Sequence, residues 1–302
     1  MRTSVVVPTL GLSPWLRPCL EALRRDGGEE LEILLVAPEA VASQLPAGLA
    51  DRAVLLPGRP AFAAANNAGF AGARGDLLGT VNDDAVVEPG WLAALSAALV
   101  ANPGVAAVQG VNLRMEDPEV VDGWGLEWHQ RLEAVQLGTG GPPPPDTPPF
   151  EVFGVSATAA LYRRSALEAV ALAPGVFFEP RLGSYYEDVE LAGRLREGGW
   201  AALAVPAARV HHAGTATGAR MPVARYRWLF GNRHLVVARR LGRRFWGRLP
   251  RLVATDLGHL VRALAGGNWA LVVGIPLGWL RALRLLPAFA HGGPPQRISP
   301  GT

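Results

Sequence analysis

Short runs that are apolar on both sides alternate, through most of this chain, with segments whose apolar residues recur every three or four positions. Ser4-Val5-Val6-Val7-Pro8-Thr9 has no polar face and predicts a strand covered on both sides and stopped by proline. Pro14 to Arg25 carries Trp15, Leu16, Leu20 and Leu23 near helical spacing, with Gly27-Gly28 as the stop. Leu31 to Val36 predicts a second buried strand. Strand, helix, strand, with both strands buried, indicates a parallel α/β sheet. The pattern goes on to a helix around Ala61 to Ala73, a strand from Asp76 to Val81 and a helix from Pro89 to Ala101. Beyond these it predicts a strand over Glu151 to Tyr162, a helix from near Ser165, a helix over Glu187 to Glu197 closed by Gly198-Gly199, and a strand over Trp200 to Val205. Gly138 to Pro149 holds six prolines in twelve residues and predicts an exposed loop. No internal repeat is evident.

From Arg225 onward the pattern turns helical, basic and apolar. Between Arg262 and Arg281 lie 18 uncharged residues, but Gly266, Gly267, Asn268, Gly274 and Pro276 interrupt them, so a membrane span is marginal. Trp246, Trp269 and Trp279 with flanking arginines predict instead a helical hairpin lying in a membrane interface. The plain alternative is a helical subdomain packed on the sheet.

Composition sharpens this picture. With 302 residues, 49% hydrophobic and 18% charged, the chain can bury one large core or two smaller ones. Residues 209 to 302 hold 15 arginines against one acid, Asp256, while residues 1 to 208 hold 14 arginines against 25 acids. An acidic body with a basic tail points to an anionic partner, a membrane or a nucleic acid. Arg239-Arg240 and Arg243-Arg244, interleaved with Phe245 and Trp246, are what a nucleic-acid binder would use. The tail's apolar content suits a membrane better, and such a binder has no use for paired acids elsewhere. Cys19 stands alone, which excludes an intramolecular disulfide framework and fits a reducing compartment. The opening MRTSVVVPTL lacks a signal-peptide pattern, so the expected location is cytoplasmic, peripheral on the inner face of the cell membrane.

Candidate chemistry collects at Asn82-Asp83-Asp84, just past the Leu77 to Val81 run. Adjacent carboxylates at the end of a buried strand are costly unless a cation is held there. Mg²⁺ or Mn²⁺ carrying phosphates suits that place, since such ions share substrate phosphates with one or two protein carboxylates. The three residue types also favour turns, and that reading stays open. Ligands of open α/β sheets bind beyond the carboxyl ends of the strands. That rule gathers Thr9, Asn82-Asp83-Asp84 and the Tyr185-Tyr186-Glu187-Asp188 segment. One acid cluster to hold a metal and a second to act as base is what transfer from a phosphate-activated donor to a hydroxyl needs.

Asn82-Asp83-Asp84, Glu151-Val152-Phe153-Gly154, Ala160-Leu161-Tyr162-Arg163-Arg164, Tyr185-Tyr186-Glu187-Asp188 and Arg194-Leu195-Arg196-Glu197-Gly198-Gly199-Trp200 occur in this order. Together they resemble the bacterial family 2 glycosyltransferases, nearest the rhamnosyltransferase-like branch, over about residues 1 to 245. The resemblance implies a GT-A fold, a Rossmann-like α/β architecture whose mixed, mainly parallel sheet is flanked by helices. It further implies a nucleoside-diphosphate sugar donor, a Mg²⁺ or Mn²⁺ cofactor and an inverting single displacement. It places a catalytic domain over residues 1–220 and a helical, basic, membrane-associated region over 221–302.

The same resemblance assigns roles. Asp84 becomes a metal ligand, with Asn82 and Asp83 beside it at the donor, and Pro8 and Thr9 touch the nucleotide. Asn67, in the segment Phe62 to Gly69, contacts the donor. Asp188 becomes the general base, with Glu187 orienting it or meeting the acceptor. His212, in His211-His212 followed by Gly214, Thr215 and Thr217, completes the metal sphere or touches the diphosphate. Arg225, Arg227, Asn232 and Arg233 face the acceptor, a surface glycan or its lipid-linked precursor, through phosphate contacts. One departure stands out: the second strand ends Val36-Ala37-Pro38-Glu39 where the family has a base-reading Asp, so the nucleobase is left open and a degenerate, inactive site is the alternative. A sugar-phosphate nucleotidylyltransferase, a third class, needs a glycine-rich phosphate loop that Pro8-Thr9-Leu10-Gly11-Leu12 does not supply.

Overall fold

A computed structural model describes residues 1–11, 13–214 and 221–290. β1 (Thr3–Pro8) leads through α1 (Leu16–Gly27) to β2 (Leu31–Pro38), and a short 3-10 turn connects that strand to β3 (Arg52–Leu56). α2 (Phe62–Gly72) then returns the chain to β4 (Leu77–Val81). β1 is parallel to both neighbours, with Val5 opposite Ile33 of β2 and Gly79 of β4. Val5, Val6 and Val7 are fully buried because alternate side chains enter different cores. Val5 and Val7 pack under α1, and Val6 packs under α2. A Cβ at Gly69 would collide with Val6, so glycine is what lets α2 lie close on the sheet.

Past the acids come β5 (Ala85–Val87), α3 (Trp91–Ala101), β6 (Val105–Arg114), β7 (Val121–Gly123) and a hairpin of β8 (Leu126–His129) with β9 (Glu133–Gln136). β10 (Phe150–Val152), β11 (Ala159–Arg163), α4 (Arg164–Ala169), α5 (Glu187–Glu197) and β12 (Ala201–His212) follow. The main sheet has ten strands in the order β10-β12-β6-β11-β4-β1-β2-β3, with β5 against β12 and β7 against β6. It is mixed: β11 runs antiparallel to both β4 and β6, whereas β12 is parallel to β6.

Two strand expectations change. The run Glu151 to Tyr162 is two strands, because the chain leaves the sheet edge after β10 and crosses to its middle before β11. Gln109 holds that crossing, its Oε1 accepting the Ser156 N–H at 2.7 Å. β12 continues past Val205 to His212, with a register shift between Ala204 and Arg209 around Pro206, whose nitrogen cannot donate to a ladder.

The chain closes with α6 (Pro222–Leu241), α7 (Phe245–Ala265) and α8 (Trp269–Ala290). Leu235, Val236 and Phe289 from these helices share a core with Leu126, Leu182 and Val189 of the sheet unit. α6 is therefore internal scaffolding, not part of an interfacial hairpin. α6 and α8 meet backbone to backbone: a Cβ at Gly231 would lie 2.9 Å from the Gly278 carbonyl oxygen. Asp256, fully buried on α7, pairs with Arg233 of α6 at 2.7 Å and accepts the Trp279 indole N–H of α8 at 2.7 Å. One carboxylate thus ties the three helices together. Asp256→Ala leaves the buried Arg233 guanidinium to the more distant Glu133, 3.8 Å away, and is expected to cost about 3–5 kcal/mol, read as a lowered midpoint in equilibrium denaturation.

Candidate active site

The loops after β1 and β4 meet through Thr9 and Ser13, the Ser13 hydroxyl donating to the Asp83 carbonyl at 3.0 Å. Thr9 receives its backbone placement from Val36, whose carbonyl accepts its N–H at 2.8 Å. Its hydroxyl donates to Asp83 Oδ2 at 2.5 Å and accepts the Gly11 N–H at 2.9 Å. The Ala85 N–H donates back to the Asn82 carbonyl at 3.1 Å, so Asn82-Asp83-Asp84 is a turn as well as an acid site. Asn82 Oδ1 is buried and has no hydrogen-bond partner. Burial, with the Asp84 charge adding to it against the Thr9 hydrogen bond, pushes the Asp83 carboxyl up to about 6.

Asp84 is 7% exposed and faces β12. Strand register sets this, since His212 lies opposite both Ala85 of β5 and Arg114 of β6. His212 Nε2 stands 3.3 Å from Asp84 Oδ1, and its Nδ1 is 2.8 Å from Asp122 Oδ2. Burial pulls the imidazole down, but hydrogen bonds and charges from Asp122 and Asp84 outweigh it and hold the group at about 9. His211 points the other way, to Glu88 at 2.7 Å, because neighbouring residues of a strand face opposite sides. Thr215 and Thr217 lie outside the described residues. Asp122 escaped the sequence reading: Val120-Val121-Asp122-Gly123 carries no motif, and only the pairing of β7 with β6 brings it to His212.

The second acid pair opens α5. Tyr185 and Tyr186 are both left-handed, with φ of 68° and 69°, a conformation that costs about 1–3 kcal/mol for each residue that is not glycine. Glu187 is 6% exposed, and its Oε2 has no partner. Asp188 is half-buried; its Oδ1 accepts the Val189 N–H at 2.8 Å and its Oδ2 the Ala157 N–H at 3.3 Å. Burial raises both carboxyls, and the Asp188 charge raises Glu187 further. Tyr185 links the two acid clusters: burial raises its hydroxyl, Arg225 opposes that, and the charges of Glu187 and Asp84 both reach it.

The basic residues divide. Arg225 is half-buried, lies 6.0 Å from the Tyr185 ring centroid and acts on Asp122, so it faces the site. Arg227 is exposed beside Trp228. Asn232 and Arg233 are corrections to the acceptor assignment. Both are buried, Asn232 on loop carbonyls and Arg233 on Asp256, so neither can reach a ligand. Asn67 is a third correction. Its amide donates to the Phe178 carbonyl at 2.8 Å and its Oδ1 accepts the N–H groups of Phe177 and Phe178, which spends its polar atoms on backbone instead of a donor. Pro8 ends β1 opposite Val36. Ala37 is buried opposite Leu55, while Glu39 is exposed in the 3-10 turn beyond β2.

An oxygen and an imidazole nitrogen 3.3 Å apart, the imidazole fixed from behind by Asp122, fit a divalent metal that takes its other ligands from phosphates and water. Among the described residues no three His, Cys, Asp or Glu side chains form a complete cage. The donor set is that of a shared ion.

Residues 4–171 match the model of Glycosyl transferase family 2, a span that contains Asn82-Asp83-Asp84 and stops before Glu187, Asp188 and His212. No curated protein matches the chain. Among solved structures it resembles GalNAc-T7 with UDP, GalNAc and Mn²⁺, at 16% identity and a TM-score of 0.61, over 81% of this chain and 50% of that one. It spans only half the length of that relative. It also resembles the mannosyltransferase PcManGT from Pyrobaculum calidifontis in complex with GDP-Man and Mn²⁺, at 18% identity and a TM-score of 0.54, over 96% and 86% of the two chains. At these identities the likeness is one of fold, and the fold is GT-A.

Asp83 offers a test free of any ligand. Its carboxyl sits at about 6 in the fold against about 3.9 for an ordinary Asp, so the fold disfavours its charged form. That cost is absent below about pH 4, grows as pH rises and is complete above about 6. Asp83→Asn keeps an acceptor for Thr9, so the metal-free variant is expected to melt above the unsubstituted protein at pH 8, with the gain shrinking toward pH 4.5 in thermal scans.

Proposed function

The chain belongs to glycosyl transferase family 2, and we propose that this glycosyltransferase moves a sugar, with inversion, from a nucleoside diphosphate to a hydroxyl of a surface polysaccharide or its lipid-linked precursor. The observation that carries this reading is that Asp84, held 3.3 Å from His212, and Glu187, the chain neighbour of Asp188, both act on the Tyr185 hydroxyl. Rhamnose as the sugar rests on the motif likeness to the rhamnosyltransferase-like branch.

Asp84 and His212 hold Mg²⁺ or Mn²⁺, the choice supported by the Mn²⁺ that accompanies UDP and GDP-Man in the two similar structures. When bound, that ion offsets charge building on the leaving diphosphate. Asp122 keeps the His212 ring aimed through Nδ1. Thr9 and Asp83 line the nucleotide side, and Arg225 supplies a guanidinium for phosphate. Asp188 takes the proton of the acceptor hydroxyl as that oxygen bonds to the anomeric carbon and the bond from carbon to phosphate oxygen breaks. Its raised proton affinity makes it a stronger proton acceptor than an ordinary carboxylate. With Ala37 in place of a strand-end acid, nucleobase choice falls to other contacts.

The enzyme works, in this reading, on the cytoplasmic face of an anionic membrane. α7 exposes Leu257, Val261 and Leu264 at helical spacing, and α8 exposes Leu277, Leu280 and Leu283. Arg248, Arg251, Arg262 and Arg284 lie exposed on the same two helices, whose one acid, Asp256, is buried. An apolar stripe bordered only by cations suits acidic lipid headgroups.

The deciding experiment is a thermal-shift panel of nucleoside diphosphates and nucleotide sugars with and without Mn²⁺, followed by transfer assays. Stabilisation that needs both metal and one diphosphate supports the reading, and no response to any diphosphate overturns it. Asp188→Asn is expected to stay folded, keep that shift and lose about a hundred- to ten-thousand-fold in kcat, whereas Asp84→Asn loses the metal-dependent shift itself. Leu280→Ser with Leu283→Ser is expected to weaken co-flotation with phosphatidylglycerol vesicles while leaving soluble-acceptor turnover unchanged. Equal flotation with neutral phosphatidylcholine would sink the electrostatic part.

A further inference from the structure

We propose that Asn232 is a positioning residue for the Glu187 and Asp188 carboxyls, acting by holding the left-handed turn from which α5 starts. The proposal rests on the transferase reading for its consequence and on hydrogen-bond geometry for its basis. Tyr185 and Tyr186 sit in a backbone region that large side chains avoid, and no side chain caps the helix that follows. Something beyond the turn must hold it.

Asn232 fills that need from another element. Its side-chain nitrogen lies 2.9 Å from the Leu182 carbonyl oxygen, 3.0 Å from that of Ser184 and 2.7 Å from that of Tyr185. The residue is fully buried, and its own Oδ1 accepts no hydrogen bond, so the amide is oriented by these carbonyls alone. Other grips lie on either side of Tyr185: the Phe62 N–H donates to Ser184 Oγ at 3.3 Å and the Ala157 N–H to Asp188 Oδ2 at 3.3 Å. Arg281 of α8 donates to the carbonyls of Arg181 and Leu182, and the Ala63 N–H of α2 donates to that of Gly183. Asn232 alone, among the described residues with a hydrogen bond to it, takes hold at Tyr185, two residues before Glu187. A slip there moves Tyr185, whose hydroxyl feels both Asp84 and Glu187, together with the Glu187 and Asp188 pair that follows it in the chain. Misplacement of a reacting group by about 1 Å is worth on the order of a hundredfold in rate.

The test uses the full chain carrying Asn232→Leu, which keeps the volume and removes the donor, and Asn232→Ser, which returns a smaller donor. Asn232→Leu is expected to lower kcat about 10- to 100-fold while donor KM and the thermal shift with nucleoside diphosphate and Mn²⁺ stay within twofold, and Asn232→Ser is expected to recover part of kcat. Activity lost only in step with the folded fraction, or a donor KM that rises as kcat falls, overturns the proposal. If Asn232→Leu does not fold, Asn232→Ser against unsubstituted protein gives the same split. Amide hydrogen exchange over residues 182–190 gives a readout that needs no substrate. Faster exchange confined to that segment supports the proposal even if no nucleotide sugar is turned over, a result that would sink the transferase reading alone. Unchanged or uniformly faster exchange overturns it.

Discussion

Carboxyl groups crowded at the carboxyl ends of the strands are the constraint that the rest of this molecule answers. Asp83, Asp84, Glu187 and Asp188 are buried or half-buried, and burial raises three of them against ionisation. The fold offsets that cost piecemeal: a Thr9 hydroxyl on Asp83, a protonated His212 shared by Asp84 and Asp122, and a helix N-terminus under Glu187 and Asp188. Only the His212 contacts are ionic, and Asp84 must share that ring with Asp122. Arginine is plentiful, yet Arg194, Arg233 and Arg239 are committed to Glu190, Asp256 and Glu179, away from the site. Acids left undercompensated where cations are abundant mark a site built for a positively charged partner such as a metal complex.

How much of this could be read from the residues depends on what each signal measures. The strands β1, β2 and β4 were legible because burial on both faces leaves an unbroken apolar run, and the strand-end rule pointed to the loops where Thr9 and Asp83 meet. Register did what a motif cannot: alternation along β12 sends His211 to Glu88 and His212 to Asp84. Asp122 was invisible, since its role depends on a three-residue strand with no pattern of its own.

The misassigned residues share one cause. Asn67 and Asn232 match positions near the site, but a position in a motif says nothing about where an amide points once it is buried. Each turned out to satisfy loop carbonyls or N–H groups that have no ladder partner, the service that buried backbone demands of nearby side chains. Both act on the segment between α4 and α5, Asn67 at Phe177 and Phe178, Asn232 at Leu182 to Tyr185. That long connection contains little regular structure, so its shape is borrowed from α2 and α6.

Hydropathy alone could not separate a packed helix from an exposed one at α8, because the helix is packed on one side and exposed on the other. Its Gly274 and Gly278 side lies against the α6 backbone, while Leu277, Leu280 and Leu283 face outward. Glycine has little hydropathy signal and a large geometric one: it lets two helices meet at the backbone, which fixes α8 against α6 along the same stretch that carries Asn232. Arg281, three residues past Gly278, then reaches the Arg181 and Leu182 carbonyls. The helix with an outward apolar stripe is therefore hydrogen-bonded directly to the loop that leads into Glu187 and Asp188. In that geometry α6 and α8 support the loop that ends at Glu187 and Asp188, and a domain boundary drawn at residue 220 would cut through those contacts.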